Sequence, residues 1–325
     1  MRALKRTICL TLCLWSGFAA AQTDAYPSRP IRVVVGFPAG GASDVAARTI
    51  SGRMAELLGQ PVVVENKPGA GSNIGSEFVA KSKPDGYTVL FATISTSING
   101  SLYKQLNYDP VRDFVAVSQV SSTPFLLVVN PATPYQSVGD IVAAAKKASG
   151  TQKLPDYASA GNGTGSHLFM ELFMEIAGIQ LTAIPYRGAA PAIADVMGGQ
   201  VPITFDNIVT TLGQVESGKL RALAVSTKQR SSVAPTIPTM AESGVPGYDA
   251  TAWFGLFVPT GTPPDVIAKL SDAAIKAVRT PEVSATLLKS GAEPVGSTPA
   301  EFDAFYKAEV AKWAQVIRRA KVQVE

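Results

Sequence analysis

Cysteine and histidine are nearly absent from this sequence. Cys9 and Cys13 are its only cysteines and His167 its only histidine among 325 residues. A four-ligand Cys/His zinc site cannot be assembled from that stock, so no metal is expected. Any Ser-His-Asp triad would have to use His167, and no G-x-S-x-G elbow accompanies it. Charge is also sparse: 17% of residues are charged and 46% apolar, which excludes a disordered polyampholyte and permits sizeable cores. The net charge of +4 overstates the basicity. Arg2, Lys5 and Arg6 lie in an acid-free leader, and the remainder carries 26 basic against 25 acidic residues. Such a body has no basic field for nucleic acid. After the leader, no segment reaches eighteen consecutive apolar residues, the length that marks a membrane-spanning helix.

What is present begins with that leader. Met1 to Arg6 is basic, Thr7 to Phe18 is an apolar run too short to span a bilayer, and Ala19-Ala20-Ala21 supplies a small-residue cleavage pattern. Cleavage after Ala21 is expected to release a 304-residue, cysteine-free, periplasmic chain. A chain without cysteine suits an oxidising compartment, because it cannot mispair there.

The length suggests two domains. Ile31–Val35 predicts a strand, Ser43–Leu58 a helix capped by Ser43 or Asp44, Pro61–Glu65 a strand, Ile74–Lys81 a helix and Tyr87–Ala92 a strand. Further strands are expected at Phe125–Val129, Tyr157–Ser159, Leu181–Ile184, Ile203–Phe205, Leu220–Ser226 and Trp253–Val258. Helices fall at Ser137–Ala148, Gly165–Ala177, Ala189–Met197, Asn207–Glu216, Pro264–Val278, Pro281–Leu288 and Pro299–Arg319. Strand, glycine-rich loop and helix in rotation predict α/β architecture with parallel sheets. Ligands of open α/β sheets sit at the carboxyl ends of strands, so a cleft is expected there.

Four segments carry candidate chemistry. Gly36-Phe37-Pro38-Ala39-Gly40-Gly41 follows a strand and opens a helix, and Gly40 and Gly41 permit positive φ, so its amides can converge on an anion. The bland alternative is a tight turn. Ser159-Ala160-Gly161-Asn162-Gly163-Thr164-Gly165-Ser166-His167 repeats the design; Asn162-Gly163-Thr164 serves as loop and cap, and His167 is structural or ligand-lining rather than a general base. Arg187 either pairs with a ligand carboxylate or joins a surface ion pair. Asp206 either accepts from a ligand amine or hydroxyl or belongs to a helix cap. Gly69-Ala70-Gly71-Ser72-Asn73-Ile74-Gly75 is a loose dinucleotide fingerprint with the wrong spacing and no following acid, so no cofactor is expected.

These motifs, with Val64-Glu65-Asn66-Lys67-Pro68-Gly69-Ala70-Gly71, Pro84-Asp85-Gly86-Tyr87-Thr88, Pro185-Tyr186-Arg187-Gly188, Gly218-Lys219-Leu220-Arg221-Ala222 and Pro259-Thr260-Gly261-Thr262-Pro263, make the chain similar to a known family. It resembles the Bug-type substrate-binding proteins, the extracytoplasmic receptors of tripartite tricarboxylate transporters. The resemblance implies a two-lobed clamshell of the periplasmic binding protein type II class. One lobe would combine residues 22–124 with 250–325, the other would be 125–249, and residues 1–21 would be the signal peptide. It also implies that backbone groups of two facing loops grip a ligand carboxylate, often through waters. Carried onto this chain, those loops hold Phe37, Ala39, Gly40 and Gly41 on one lobe and Ser159, Gly161, Gly163, Thr164 and Ser166 on the other. Thr93, Ser95 and Thr96 would add polar contacts. The expected function is that of a monomeric, non-enzymatic receptor delivering a small carboxylate to a membrane permease. A sensor protein is an alternative partner, and a hydrolase using Ser166, His167 and Asp206 is a distant alternative activity.

Overall fold

A computed structural model describes residues 26–148 and 153–322; the expected leader and its cleavage site lie outside the described residues. The chain opens with β1 (Ile31–Val35), four of whose five residues are buried, as befits an interior strand covered on both faces. It continues through α1 (Ala42–Leu58), β2 (Val62–Asn66), a short turn at Ala70–Ser72, α2 (Asn73–Ala80), β3 (Thr88–Thr93), α3 (Ile94–Leu102) and β4 (Phe114–Thr123). Then follow β5 (Phe125–Val129), α4 (Val138–Ala148), β6 (Asp156–Ser159), α5 (Gly165–Ala177), β7 (Thr182–Pro185) and α6 (Ala189–Met197). The rest comprises β8 (Ile203–Asn207), α7 (Ile208–Glu216), β9 (Arg221–Val225), β10 (Ala252–Pro259), α8 (Pro264–Val278), α9 (Pro281–Lys289), β11 (Glu293–Pro294) and α10 (Pro299–Ala320).

Two sheets result, ordered β11-β4-β10-β3-β1-β2 and β7-β6-β8-β5-β9. They are mixed rather than purely parallel. β10 runs antiparallel to β3 and β4, and β5 antiparallel to β8 and β9, although β1 pairs parallel with β2 and β3. The cause is connectivity: these strands enter from the other sheet, not through a crossover helix, so nothing imposes parallel direction on them. The chain leaves the first sheet at Thr123 and enters the second at Phe125, then returns between Val225 and Ala252.

Cores follow the sheets. Helices α1, α8 and α9 cover one face of the first sheet with Ile50, Met54, Leu270, Ala274 and Leu287 against Val33, Val35 and Phe91. The helix α10 is shared. Its Phe302 and Tyr306 pack with Trp253 and Phe257 of the first sheet's other face. Trp313, Val316 and Ile317 join Phe125, Phe169, Phe173 and Phe205 in the second sheet's core, where Ile98 and Leu102 of α3 also arrive. Trp313 lies 5.3 Å from Phe169 with ring planes 4° apart, and its Nε1–H donates to Glu309 at 2.9 Å. One amphipathic helix thereby spans both cores.

Truncating Trp313 removes a fully buried ring, its stacking partner and its hydrogen bond. Trp313→Ala is expected to cost about 3–5 kcal/mol of unfolding free energy in urea titration; a loss under about 1 kcal/mol, a surface-like value, would contradict this packing.

Candidate functional site

The loop after β1 is shaped from outside. A Cβ on Gly36 would lie 2.1 Å from the Ser72 hydroxyl oxygen, so glycine is required where the Ala70–Ser72 turn crosses beneath. The 69–75 segment thus acts as a buttress, and a Cβ on its Gly75 would in turn lie 3.1 Å from the Gly36 Cα. Asp44, in the first turn of α1, is the loop's organiser. It is 3% exposed and accepts from the Gly40 amide at 2.9 Å, Asn66 Nδ2 at 2.9 Å and Arg48 Nε at 3.0 Å. Asn66 also donates to the Phe37 carbonyl at 3.0 Å. With Arg48 and these donors around it, the Asp44 carboxyl is lowered to about 2.

Two expectations change here. Gly40 has φ +83°, but Gly41 is extended, with φ −78° and ψ 169°, so the loop has one left-handed glycine rather than two. Gly41, not Ser43 or Asp44, is the N-cap of α1, and no side chain caps it. The Gly40 amide is spent on Asp44, whereas the first-turn amides of Ala42 and Ser43 keep no intrahelical acceptor. Pro38, Ala39, Gly40 and Gly41 are exposed; Phe37 is half-buried against the core of the first sheet.

The loop after β6 is closed by its own side chains. Ser159 Oγ accepts from the Gly161 amide, Ser166 Oγ from Ala160, and His167 Nδ1 from Gly163 at 3.1 Å. Thr164 Oγ1 donates to the Gly161 carbonyl at 2.7 Å and caps α5 by accepting from the His167 amide at 3.4 Å. Gly161 (φ +125°) and Gly163 (φ +73°) take conformations that favour glycine. The Nε2 of His167 faces Glu171 at 3.2 Å. His167 is a staple between loop and helix, and both its nitrogens are engaged. No Ser166–His167 side-chain hydrogen bond exists among the described residues, and Asp206 finds its partners elsewhere, so the triad alternative lacks its relay.

The remaining candidates divide. Thr93 caps α3, its hydroxyl accepting from the Ser95 amide at 3.2 Å, while Thr96 is buried with Oγ1 unpartnered among the described residues. The helix α3 itself was not expected from sequence, since Ser, Thr, Asn and Gly fill most of it; the signal was the four-residue spacing of Ile94, Ile98 and Leu102. Arg187 is exposed. Asp206 is 3% exposed; its Oδ1 accepts from the Asn207 amide at 2.7 Å and Thr210 Oγ1 at 3.2 Å, and Oδ2 has no partner among the described residues. Asn207, rather than Asp206, caps α7. The first loop's organisers, Asn66 and Ser72, were not singled out as site residues, because their contribution is a contact across chain segments that local patterning does not display.

Burial raises the Asp206 carboxyl from 3.8 to about 6. Between those values the folded chain holds a proton that the unfolded chain has released, so stability falls as pH rises through that window. Asp206→Asn is expected to flatten the slope of Tm against pH between about 4 and 6. An unchanged slope would show that this carboxyl ionises normally.

A sequence profile described as "Tripartite tricarboxylate transporter family receptor" matches residues 46–322. Protein BugT of Bordetella pertussis is 38% identical over 95% of each chain. An R. palustris protein solved with adipate is 34% identical over 92% of this chain and 100% of its own, with a TM-score of 0.76. MatC from Rhodopseudomonas palustris, solved with malate, is 31% identical over 90% and 100%, with a TM-score of 0.72. The fold is that of two-lobed periplasmic binding proteins, and the chain belongs to the tripartite tricarboxylate transporter receptor family, whose members are periplasmic solute-binding receptors.

Proposed function

We propose that the chain is exported, cleaved after Ala21, and captures a small carboxylate between the loops at Phe37–Gly41 and Ser159–Ser166. Lobe closure over the solute then presents it to a tripartite tricarboxylate-type membrane permease. The two lobes in this proposal are residues 22–124 with 250–325, and 125–249. The observation that carries it is the pairing of two loops, one per sheet, each at a strand's carboxyl end and each opening a helix. Such helix starts offer amide donors and the positive end of the helix dipole to an anion. The adipate and malate bound by the two solved relatives are carboxylates and fit that chemistry.

The magnitudes are adequate. A hydrogen bond to a charged group contributes about 1.5–3 kcal/mol. Four give about 6–12 kcal/mol before the entropic cost of association, at least ~4 kcal/mol. A micromolar complex needs about 8 kcal/mol net, so apolar contact, with Phe37 as the available wall, supplies the balance. Because the two loops belong to different sheets, a solute touching both binds the closed state more tightly, which is the differential affinity that drives closure.

Gly41→Val tests the first loop. Gly41 has negative φ, and a Cβ there meets nothing nearer than the Pro38 carbonyl at 3.6 Å, so the fold tolerates the change. The branched side chain stands beside the Ala42 amide, and calorimetric affinity for C4–C6 dicarboxylates is expected to drop at least about tenfold, ~1.4 kcal/mol, with the unliganded Tm unchanged. Equal affinity in the two proteins would remove this loop from the site.

A further inference from the structure

The loop at Ser159–His167 spends much of its polar backbone on its own shape. Its amides at Ala160, Gly161, Gly163 and Thr164 all donate within the loop, to Ser159, Ser166, His167 and the Gly161 carbonyl. His167 itself is held between Gly163 and Glu171. The first-turn amides of Gly165 and Ser166 keep no intrahelical acceptor and are neutral donors, and the β7–α6 connection beside them adds a positive charge. The amide of Tyr186 donates to the Ser159 carbonyl at 2.9 Å and that of Gly188 to the Ala160 carbonyl at 3.2 Å. The Tyr186 hydroxyl is fixed in turn by Asp195 at 2.6 Å. Gly188, at φ +115°, turns the chain into α6. Arg187 thus has both chain neighbours fastened to the candidate loop, while its own side chain is exposed and has no ion pair or hydrogen bond among the described residues.

The first loop is different. Its nearby cation, Arg48, is committed to Asp44 and Asn66, so this cluster neutralises itself. What remains there is a set of neutral amide donors able to take one carboxylate.

We propose that Arg187 is the specificity-determining residue of the receptor, pairing with a second carboxylate while the Phe37–Gly41 loop takes the first, so that the solute is a dicarboxylate. This rests on the capture site proposed above. A planar guanidinium presents two parallel N–H donors to a carboxylate, which a neutral chain end cannot match.

Matched acids of equal carbon number separate the two claims: adipate against hexanoate and glutarate against pentanoate, titrated by calorimetry into the whole mature chain. The wild type is expected to favour each diacid at least about tenfold, ~1.4 kcal/mol. Arg187→Gln should weaken diacid binding at least about tenfold more than monoacid binding, and Arg187→Lys should restore part of the difference. The salt dependence of diacid affinity should decrease in Arg187→Gln. Diacid binding indifferent to Arg187, or an equal loss for diacid and monoacid, overturns the assignment and leaves the capture site standing. Absence of carboxylate binding by the wild type overturns both. Circular dichroism and Tm of Arg187→Gln matching the wild type would exclude misfolding as the cause.

Discussion

Two passages of chain between sheets, at Thr123–Phe125 and on the return from Val225 to Ala252, are the constraint from which the rest follows. They place one candidate loop on each sheet and make any solute that touches both loops a cross-link between them. The long pairing of β4 with β10 continues to Thr123 and Ala252, so the link is a strand ladder rather than a slack tether. The helix α10 spans the same boundary with Tyr306 in one core and Trp313 in the other. The lobe closure proposed above would, with such a link, be a hinge rotation rather than a local rearrangement.

Within each loop, polar groups are largely consumed in holding the loop's own shape. Asp44 collects the Gly40 amide, Asn66 and Arg48; His167, Ser159 and Ser166 collect three amides of the other loop. The result is preorganisation, since few torsions remain to be frozen on binding. It also leaves few donors free, which gives weight to the uncommitted first-turn amides of Ala42, Ser43, Gly165 and Ser166 and to the charge of Arg187. A buried carboxylate at Asp44 also repels an anion unless neutralised, and Arg48 supplies that neutralisation.

Much of this was legible in the sequence where local chemistry decides the outcome. The spacing of Ala46, Ile50 and Met54 locates α1, and Pro264, Pro281 and Pro299 mark three helix starts within a residue. Thr298 and Glu301 form the capping box that starts α10. The misses have one kind of cause, which is context beyond the segment. α3 is built from poor helix formers and exists because Ile98 and Leu102 are buried by another element's core. β4 and β11 join the sheet through pairing with distant strands, and the antiparallel direction of β10 depends on where the chain had been. The candidate loops were located by their glycines, but the spending of their amides was not visible. That depends on Asn66, Ser72 and Arg48 arriving from neighbouring elements.

The most direct test is a crystal structure of the mature chain with its tightest-binding dicarboxylate. One carboxylate is predicted within about 3 Å of the Ala42 or Ser43 amides, and the other within the same reach of the Arg187 guanidinium. Density for the solute on one lobe alone, or away from both strand-end loops, would contradict capture by lobe closure.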